Sequence, residues 1–297
     1  MRNPLIKRLP RELKGDIGKY LVIFLFMTML ISLVSGFLVA DNSVYDAYEK
    51  GFEKYNVEYA DFVTADEMSD ETIKELENDN KVRIYDQRYY KLKESKRNAT
   101  IRVYGERKEV NKLCIMSGRL AKADDEITLD RVFAKNNDYK VGDNIKIGDK
   151  DYKITGFVAM PDYSCLFEDN ADMMFDSVNF GVASMTDSCI KKLKKSKLNY
   201  CYAMRYNKKP KSDKEQKNMS DDFLKSLAKK AAVTSYIPRC ENKAINFTGD
   251  DMGGDKAMFI LFDYIVIAIL AFVFAVTTSN TIVKEAGVIG TLPEEKS

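Results

Sequence analysis

Histidine and tryptophan are both absent from the 297-residue chain. Without histidine there is no Ser-His-Asp or Cys-His nucleophile system, no HExxH zinc site and no histidine-ligated metal. Cysteine is scarce and scattered: Cys114, Cys165, Cys189, Cys201 and Cys240 include no CxxC pair. An odd number outside the cell leaves at least one thiol unpaired or joined between chains. The simplest reading is a set of small buried residues. An excess of one charge sign is lacking as well. The net charge is +2 and the lysines are interspersed with acids, so no strong pull toward nucleic acid exists. No catalytic, cofactor-binding or metal-ligating residue is assigned, and neither an enzyme activity nor a cofactor is expected.

What the chain does have is two uncharged hydrophobic runs, residues 20–40 and 264–283. About 20 residues in a helix, at ~1.5 Å each, reach ~30 Å, the thickness of a bilayer's hydrocarbon core. Arg2, Lys7, Arg8, Arg11, Lys14 and Lys19 precede the first run, and the first charge beyond it is Asp41. Asp250, Asp251, Asp255 and Asp263, with Lys256 among them, precede the second, and Lys284 follows it. The positive-inside rule therefore predicts two cytoplasmic termini, with residues 41–257 outside the cell membrane. The rival reading of the first run is a cleavable signal peptide. Its apolar stretch and basic leader are long for that, and Leu38-Val39-Ala40 lacks the small residue wanted at −3.

Residues 1–19 carry Leu5, Ile6, Leu9, Leu13 and Ile17 at helical spacing with basic residues between. That pattern fits an interfacial helix on membrane lipid, or a plain topogenic flank. Val44, Tyr48, Phe52 and Tyr55 continue an apolar stripe outward as a stalk. Between the runs, strands are predicted at 57–65, 82–92, 100–104, 126–129, 144–147, 152–159, 180–185 and 200–206, with a hairpin turning at Gly148-Asp149. Helices are predicted at 70–77, 131–136, 187–194 and 221–233, and an exposed lysine-rich loop at 208–217. Interleaved strands and short helices give an α+β class: two transmembrane helices flank a large extracytoplasmic α+β domain with an inserted small β-rich subdomain. Residues 246–256, rich in glycine and aspartate, must join that domain to the second span and could bend there.

Three chemical lookalikes fail on their own terms. The stretch 249–256 has Asp255 where a phosphate loop needs lysine after its last glycine. Glu168, Asp169, Asn170 and Asp172, near Asp176, lack the alternation and glycine of an EF-hand and read as a solvated turn. Asp263, near the outer end of the second run, reads as a snorkelling flank residue. Thr277, Thr278, Ser279 and Asn280 are small polar residues of the kind that pack one membrane helix on another, which points to partner helices.

Four stretches resemble the FtsX-like, MacB-like permeases of ABC transporters, in their Gram-positive version. They are residues 8–14 (RLPRELK) and 117–120 (SGRL), the latter with Glu126-Ile127, Val141-Gly142-Asp143 and 152–158 (YKITGFV). The others are 161–164 (PDYS) with 180–182 (FGV), and 280–282 (NTI) with 285–292 (EAGVIGTL). The resemblance implies a permease that mechanically couples a separate cytoplasmic ABC ATPase subunit to an outer domain, for export or signalling. It also implies four or more spans and a second permease chain or remaining permease half. On that basis the expected organisation is an interfacial helix (1–19), span one (20–40), a stalk (41–56), a first core segment (57–113) and the inserted β-rich subdomain (114–169). A second core segment (170–245), a linker (246–257), span two (258–283) and a tail (284–297) follow. After Leu292 the chain reads Pro293-Glu294-Glu295-Lys296-Ser297, where the family continues into a basic helix. The expectation is thus a permease truncated after its second span and lacking the ATPase-docking element. The alternative from topology alone is a two-span membrane-anchored sensor or binding protein.

Overall fold

The computed structural model describes Lys14, residues 17–193 and residues 198–289. Residues 1–13 and 15–16 of the predicted interfacial helix and the 290–297 end of the tail lie outside these residues. The chain divides into two units, residues 47–250 and residues 1–46 with 251–297.

The second of these units is helical. α1 (Ile17–Lys54) and a helix at the other end of the chain (Lys243–Ile289, α6 below) supply it. Both are long and apolar enough to cross a membrane. They form because the runs are dominated by Leu, Ala, Met, Phe, Ile and Val without proline, and they are apolar all round, with no polar face to turn to water. Phe24, Leu25, Ile31, Ile265 and Phe272 stand exposed on them. The helices run antiparallel, with Phe37 stacked on Phe259 at a ring-centroid separation of 3.4 Å and Lys256 Nζ donating to Asn42 Oδ1 at 2.8 Å. The glycine-rich 246–256 is helical throughout, Gly253 and Gly254 included.

The 47–250 unit contains, in chain order, β1 (Ala60–Thr64), α2 (Asp70–Asn80), β2 (Val82–Asp86), β3 (Tyr89–Lys93), β4 (Thr100–Tyr104) and β5 (Cys114–Gly118). β6 (Glu126–Asp130), α3 (Arg131–Asn136), β7 (Asn144–Ile147), β8 (Lys150–Ala159), β9 (Phe180–Ser184) and α4 (Asp187–Ile190) follow. β10 (Leu198–Tyr206), α5 (Asp213–Lys230) and β11 (Val233–Pro238) lead into α6. The strands form one mixed sheet in the order β11-β1-β10-β3-β4-β9-β6-β8-β5, with β2 also on β10 and β7 also on β8. The α+β expectation holds.

Two lobes share that sheet. β1-α2-β2 and β10-α5-β11 make the first, its strands all antiparallel in the order β11-β1-β10-β2. This is the ferredoxin-like split βαβ arrangement. Strand β1 alternates, burying Ala60, Phe62 and Thr64 on the helix side and leaving Asp61 and Val63 half-buried on the other. Phe62, Leu76, Met204, Phe223 and Leu227 form the core between strands and helices. Helix α5 starts earlier than its apolar pattern, overriding the predicted loop 208–217 from residue 213 on. Ser212 Oγ caps the helix by accepting from Glu215 N, and Glu215 Oε2 reaches back to accept from Lys211 N at 2.6 Å, which begins the helix ahead of its apolar residues.

The second lobe is inserted between β2 and β10 and contains the predicted block 114–169. It is β-rich, with parallel pairs β4–β9 and β6–β8. Its core holds Ile101, Ile127, Leu129, Phe133, Ile154 and Val182. The β7–β8 hairpin pairs Ile147 with Lys150 across Gly148, whose φ is +61°. The strand predicted over 82–92 is broken at Gln87-Arg88, where Arg88 N donates to Asp86 Oδ1 at 2.9 Å, and its halves go to different lobes. β10 joins the lobes. Leu198 and Asn199 pair with β3, and Tyr202 through Tyr206 pair with β2.

Candidate functional site

The sheet face of the first lobe that turns away from α2 and α5 meets the second lobe, and a cavity of about 260 Å3 lies between them. β1 contributes Asp61, β3 contributes Tyr89 and Lys91, and β4 contributes Arg102 and Tyr104. Each pair sits two residues apart, the spacing that puts both side chains on one face of a strand. Arg107 and Asn111 follow β4, and Asp162, Tyr163 and Glu168 come from the segment after β8.

Most of the charge here is satisfied internally. Arg107 Nη1 lies 2.6 Å from Asp162 Oδ1, the two side chains only 2% and 7% exposed, and the guanidinium rests 3.9 Å from the Tyr104 ring centre. Burial opposes the Arg107 charge, but Asp162 and Tyr104 outweigh it and its pKa is raised. Arg102 Nη1 donates to Tyr163 OH at 2.9 Å and its Nη2 to the Glu168 carbonyl, while its guanidinium faces the Tyr89 and Phe180 rings. The hydroxyls of Tyr104 and Tyr163 are 2.7 Å apart. Burial pushes the Tyr89 hydroxyl up to about 12.

Two carboxylates stand apart from this scheme. Glu58 Oε2 accepts from Asn111 Nδ2 at 2.8 Å, and Asp61 Oδ1 accepts from Asn242 Nδ2 at 3.3 Å. Amides, not cations, are their hydrogen-bond partners. Burial raises Asp61 to about 7, against the pull of Arg102. Burial, reinforced by the negative charges of Asp61 and Asp162, holds Glu58 well above the usual carboxylate range. The buried thiol of Cys201, on the same cavity, is likewise raised well above its ordinary value, which keeps it protonated and unreactive. What the arrangement can do chemically is hold lobes together and receive a small polar molecule.

Of these residues, Asp162 and Tyr163 lie in the 161–164 stretch that carries the family resemblance, Glu168 in the acid cluster read as a turn and Cys201 among the scattered cysteines; the others were not singled out from sequence. For Asp61 in ADFVT and Arg102 in TIRVY, a charge inside a β-branched or aromatic strand was the local signal. Glu168, Asp169 and Asn170 of the singled-out acid cluster line the rim of this cavity. Residues 249–256 form helix, not a phosphate-binding loop. The 168–176 acids make turns: Asp172 Oδ2 accepts from Asp169 N, Asp169 Oδ1 from Ala171 N, and Asp176 Oδ1 from Val178 N and Asn179 N. No group of three metal-ligating side chains occurs among the described residues. Asp263 and 277–280 lie on α6.

The stretches around 117 and 142 that carry the family resemblance do converge. Gly118 has φ +69°, and a Cβ there would run into the Thr155 carbonyl oxygen. Arg119 N donates to that same oxygen at 3.0 Å, and the Arg119 guanidinium grips Glu126 with bonds of 2.7 and 2.5 Å. Gly142, at φ +101°, donates to Ile154 O at 2.8 Å, and Ile154 N donates back to Asp143 O at 2.8 Å. Glu126 is held down at about 2 by the Arg119 bonds and by the backbone N–H of Lys122 and Ala123.

No family model matches the sequence, and no curated protein matches it. Two solved structures are similar over much of the chain. One is the periplasmic region of MacB from Actinobacillus actinomycetemcomitans, at 14% identity and a TM-score of 0.36, covering 64% of this chain and 91% of that one. The other is the extracellular domain of the noncanonic ABC-type transporter YknZ from Gram-positive bacteria, at 12% identity and a TM-score of 0.34, covering 61% and 98%.

Proposed function

We propose that this chain contributes two membrane spans and the extracytoplasmic domain between them to an FtsX-like, MacB-like permease of an ABC transporter. The observation that carries the reading is the convergence just described: Gly118, Arg119, Glu126, Gly142, Asp143 and the 154–156 strand segment form one hydrogen-bonded unit. These are the positions on which the sequence resembles that family. Two exposed apolar helices at either end of the outer unit's sequence fit the same architecture. In this reading a separate cytoplasmic ATPase drives the spans, and a second permease chain or the remaining permease half completes the assembly. Helices α1 and α6 pass the motion outward for export or signalling, coupling two bistable ends. The residues bonded around Gly118 serve as structural fasteners of the moving lobe and not as chemical groups.

The test is affinity purification of the protein from its native membrane, followed by identification of what accompanies it. The expected result is recovery of a second permease chain or the remaining permease half and, held through it, a protein bearing a P-loop and ABC signature. Recovery of a signalling kinase, or of no nucleotide-binding subunit, would contradict the permease reading. The interlobe cavity favours the second reading, a two-span sensor, in that event.

A further inference from the structure

The loop over residues 168–178 carries apolar side chains where water should be. Met173 is 96% exposed and Met174 79%, and Phe175 and Val178 beside them are exposed too. Single exposed apolar residues are ordinary, but a run of them in one loop marks an interaction surface. The loop is not slack. Its first half is pinned to the start of α6: Asn170 Oδ1 accepts from Lys243 N at 2.8 Å, and Asn170 Nδ2 donates to Glu241 O at 2.9 Å. Lys243 Nζ donates to the Asp172 carbonyl at 2.8 Å, and the Phe175 ring lies 6.0 Å from that of Phe167 and 5.4 Å from that of Phe247. On the far side Asp176 Oδ1 accepts from Val178 N and Asn179 N. The two methionines therefore stand out between anchored flanks. The loop's unpaired charge has one sign. Glu168 is matched by Lys91 at 3.3 Å, but Asp169, Asp172 and Asp176 form no salt bridge among the described residues. Their carboxylates accept only backbone N–H groups and, at Asp176, the Asn179 side chain.

We propose that the 168–178 loop docks a basic amphipathic polypeptide segment. Its apolar side chains cover Met173, Met174 and Phe175, and its lysines or arginines meet the three aspartates. Methionine's unbranched, polarizable side chain adapts to varied apolar partners, and the aspartates select a cationic one. Two other occupants fit worse. A second copy of the same loop, or a membrane bearing anionic headgroups, would bring like charges together. Asn170 and Phe175 set the bound segment against the first turn of α6, so docking there bears directly on that helix. The assignment goes beyond the permease reading and does not rest on it.

The experiment uses the full chain in phosphatidylcholine nanodiscs, with carbon-13 on the methionine methyl groups. The Met173 and Met174 signals are assigned with Met173→Leu and Met174→Leu. The probe is the amphipathic peptide LKKLLKLLKKLLKL, with binding to empty nanodiscs subtracted. Both signals are expected to shift and saturate on titration, while the acidic counterpart LEELLELLEELLEL leaves them in place. The double variant Met173→Ser with Met174→Ser changes only exposed side chains. It should unfold at the wild-type temperature yet bind the labelled basic peptide at least ~10-fold more weakly. Asp169→Asn, Asp172→Asn and Asp176→Asn together keep the hydrogen-bond acceptors and should remove most of the salt dependence of binding. Methionine signals unmoved by the basic peptide overturn the proposal. So do equal shifts with the acidic peptide, or full affinity in the folded double serine variant. Shifts of the same two signals on adding phosphatidylglycerol vesicles in place of peptide also overturn it, and assign the loop to lipid.

Discussion

Leucine, isoleucine and phenylalanine behave in opposite ways in the two units. In residues 47–250, Ile101, Leu129, Phe133 and Phe180 are buried, whereas Phe24, Leu25, Ile31 and Phe272 on α1 and α6 stand more than half exposed. In water, roughly 25 cal/mol per Å2 of exposed apolar surface would make the helices untenable as solvated structures. The difference teaches that each unit has its own solvent. One buries its apolar side chains against itself, and the other requires hydrocarbon around it. A second contrast lies inside the 47–250 unit. The first lobe's core is apolar and backed by helices, while the cleft between the lobes is charged and holds paired arginines, tyrosines and acids.

The largest expected effect breaks the second contrast. Arg107→Met strands the buried Asp162 carboxylate and should destabilise the 47–250 unit by about 3–5 kcal/mol, the usual cost of an orphaned buried charge. Arg107→Met with Asp162→Leu should recover most of that loss, as read by thermal unfolding; a double variant no better than the single would show that the pair is not an isolated unit. Next, Leu33→Arg places a charge within the exposed apolar run of α1. Insertion should become less favourable by about 2.5–3.5 kcal/mol, seen as protein that alkaline carbonate extracts from membranes. Unchanged retention would mean that this segment does not need hydrocarbon.

The smallest effect concerns pH. Asp61 has its folded pKa raised from 3.8 to about 7, so the native state holds a proton that the unfolded chain releases. Its stabilising contribution is present in full below about pH 4 and is lost as pH rises through 7. Glu58 shifts in the same direction. Unfolding temperature should therefore fall between pH 5 and 8, and Asp61→Asn should flatten that slope. Glu126, held at about 2, acts in the opposite sense, adding stability above its ordinary carboxylate range that disappears toward pH 2.

Local signals were legible where one short stretch decides the outcome. The Gly148-Asp149 turn set the β7–β8 hairpin, and the 131–136 helix begins on Asp130, whose Oδ1 accepts from Val132 N and Phe133 N. β5 left no pattern, because its residues run mostly exposed at the sheet edge and do not alternate. The break between β2 and β3 was hidden by a continuous run of strand-forming residues, and only β10 pairing with both pieces separates them. The cleft's pieces were partly visible, in the 161–164 stretch and the 168–172 acids, but their convergence was not. Asp61, Arg102 and Asp162 come from three distant segments, and their proximity depends on the insertion of one lobe into the other. The glycines of the resemblance were visible in sequence, but their reason was not: Gly118 is required because Thr155 lies against it.

The permease reading requires α1 and α6 to cross a membrane with residues 47–250 on its outer side. The direct measurement is cysteine labelling with a membrane-impermeant maleimide in intact cells, in a protein whose five native cysteines are replaced by alanine. Asp149→Cys, in the exposed turn between β7 and β8, should label in intact cells, and Lys14→Cys only after permeabilisation. Labelling of Lys14→Cys in intact cells with Asp149→Cys silent until lysis would invert the topology and contradict that reading.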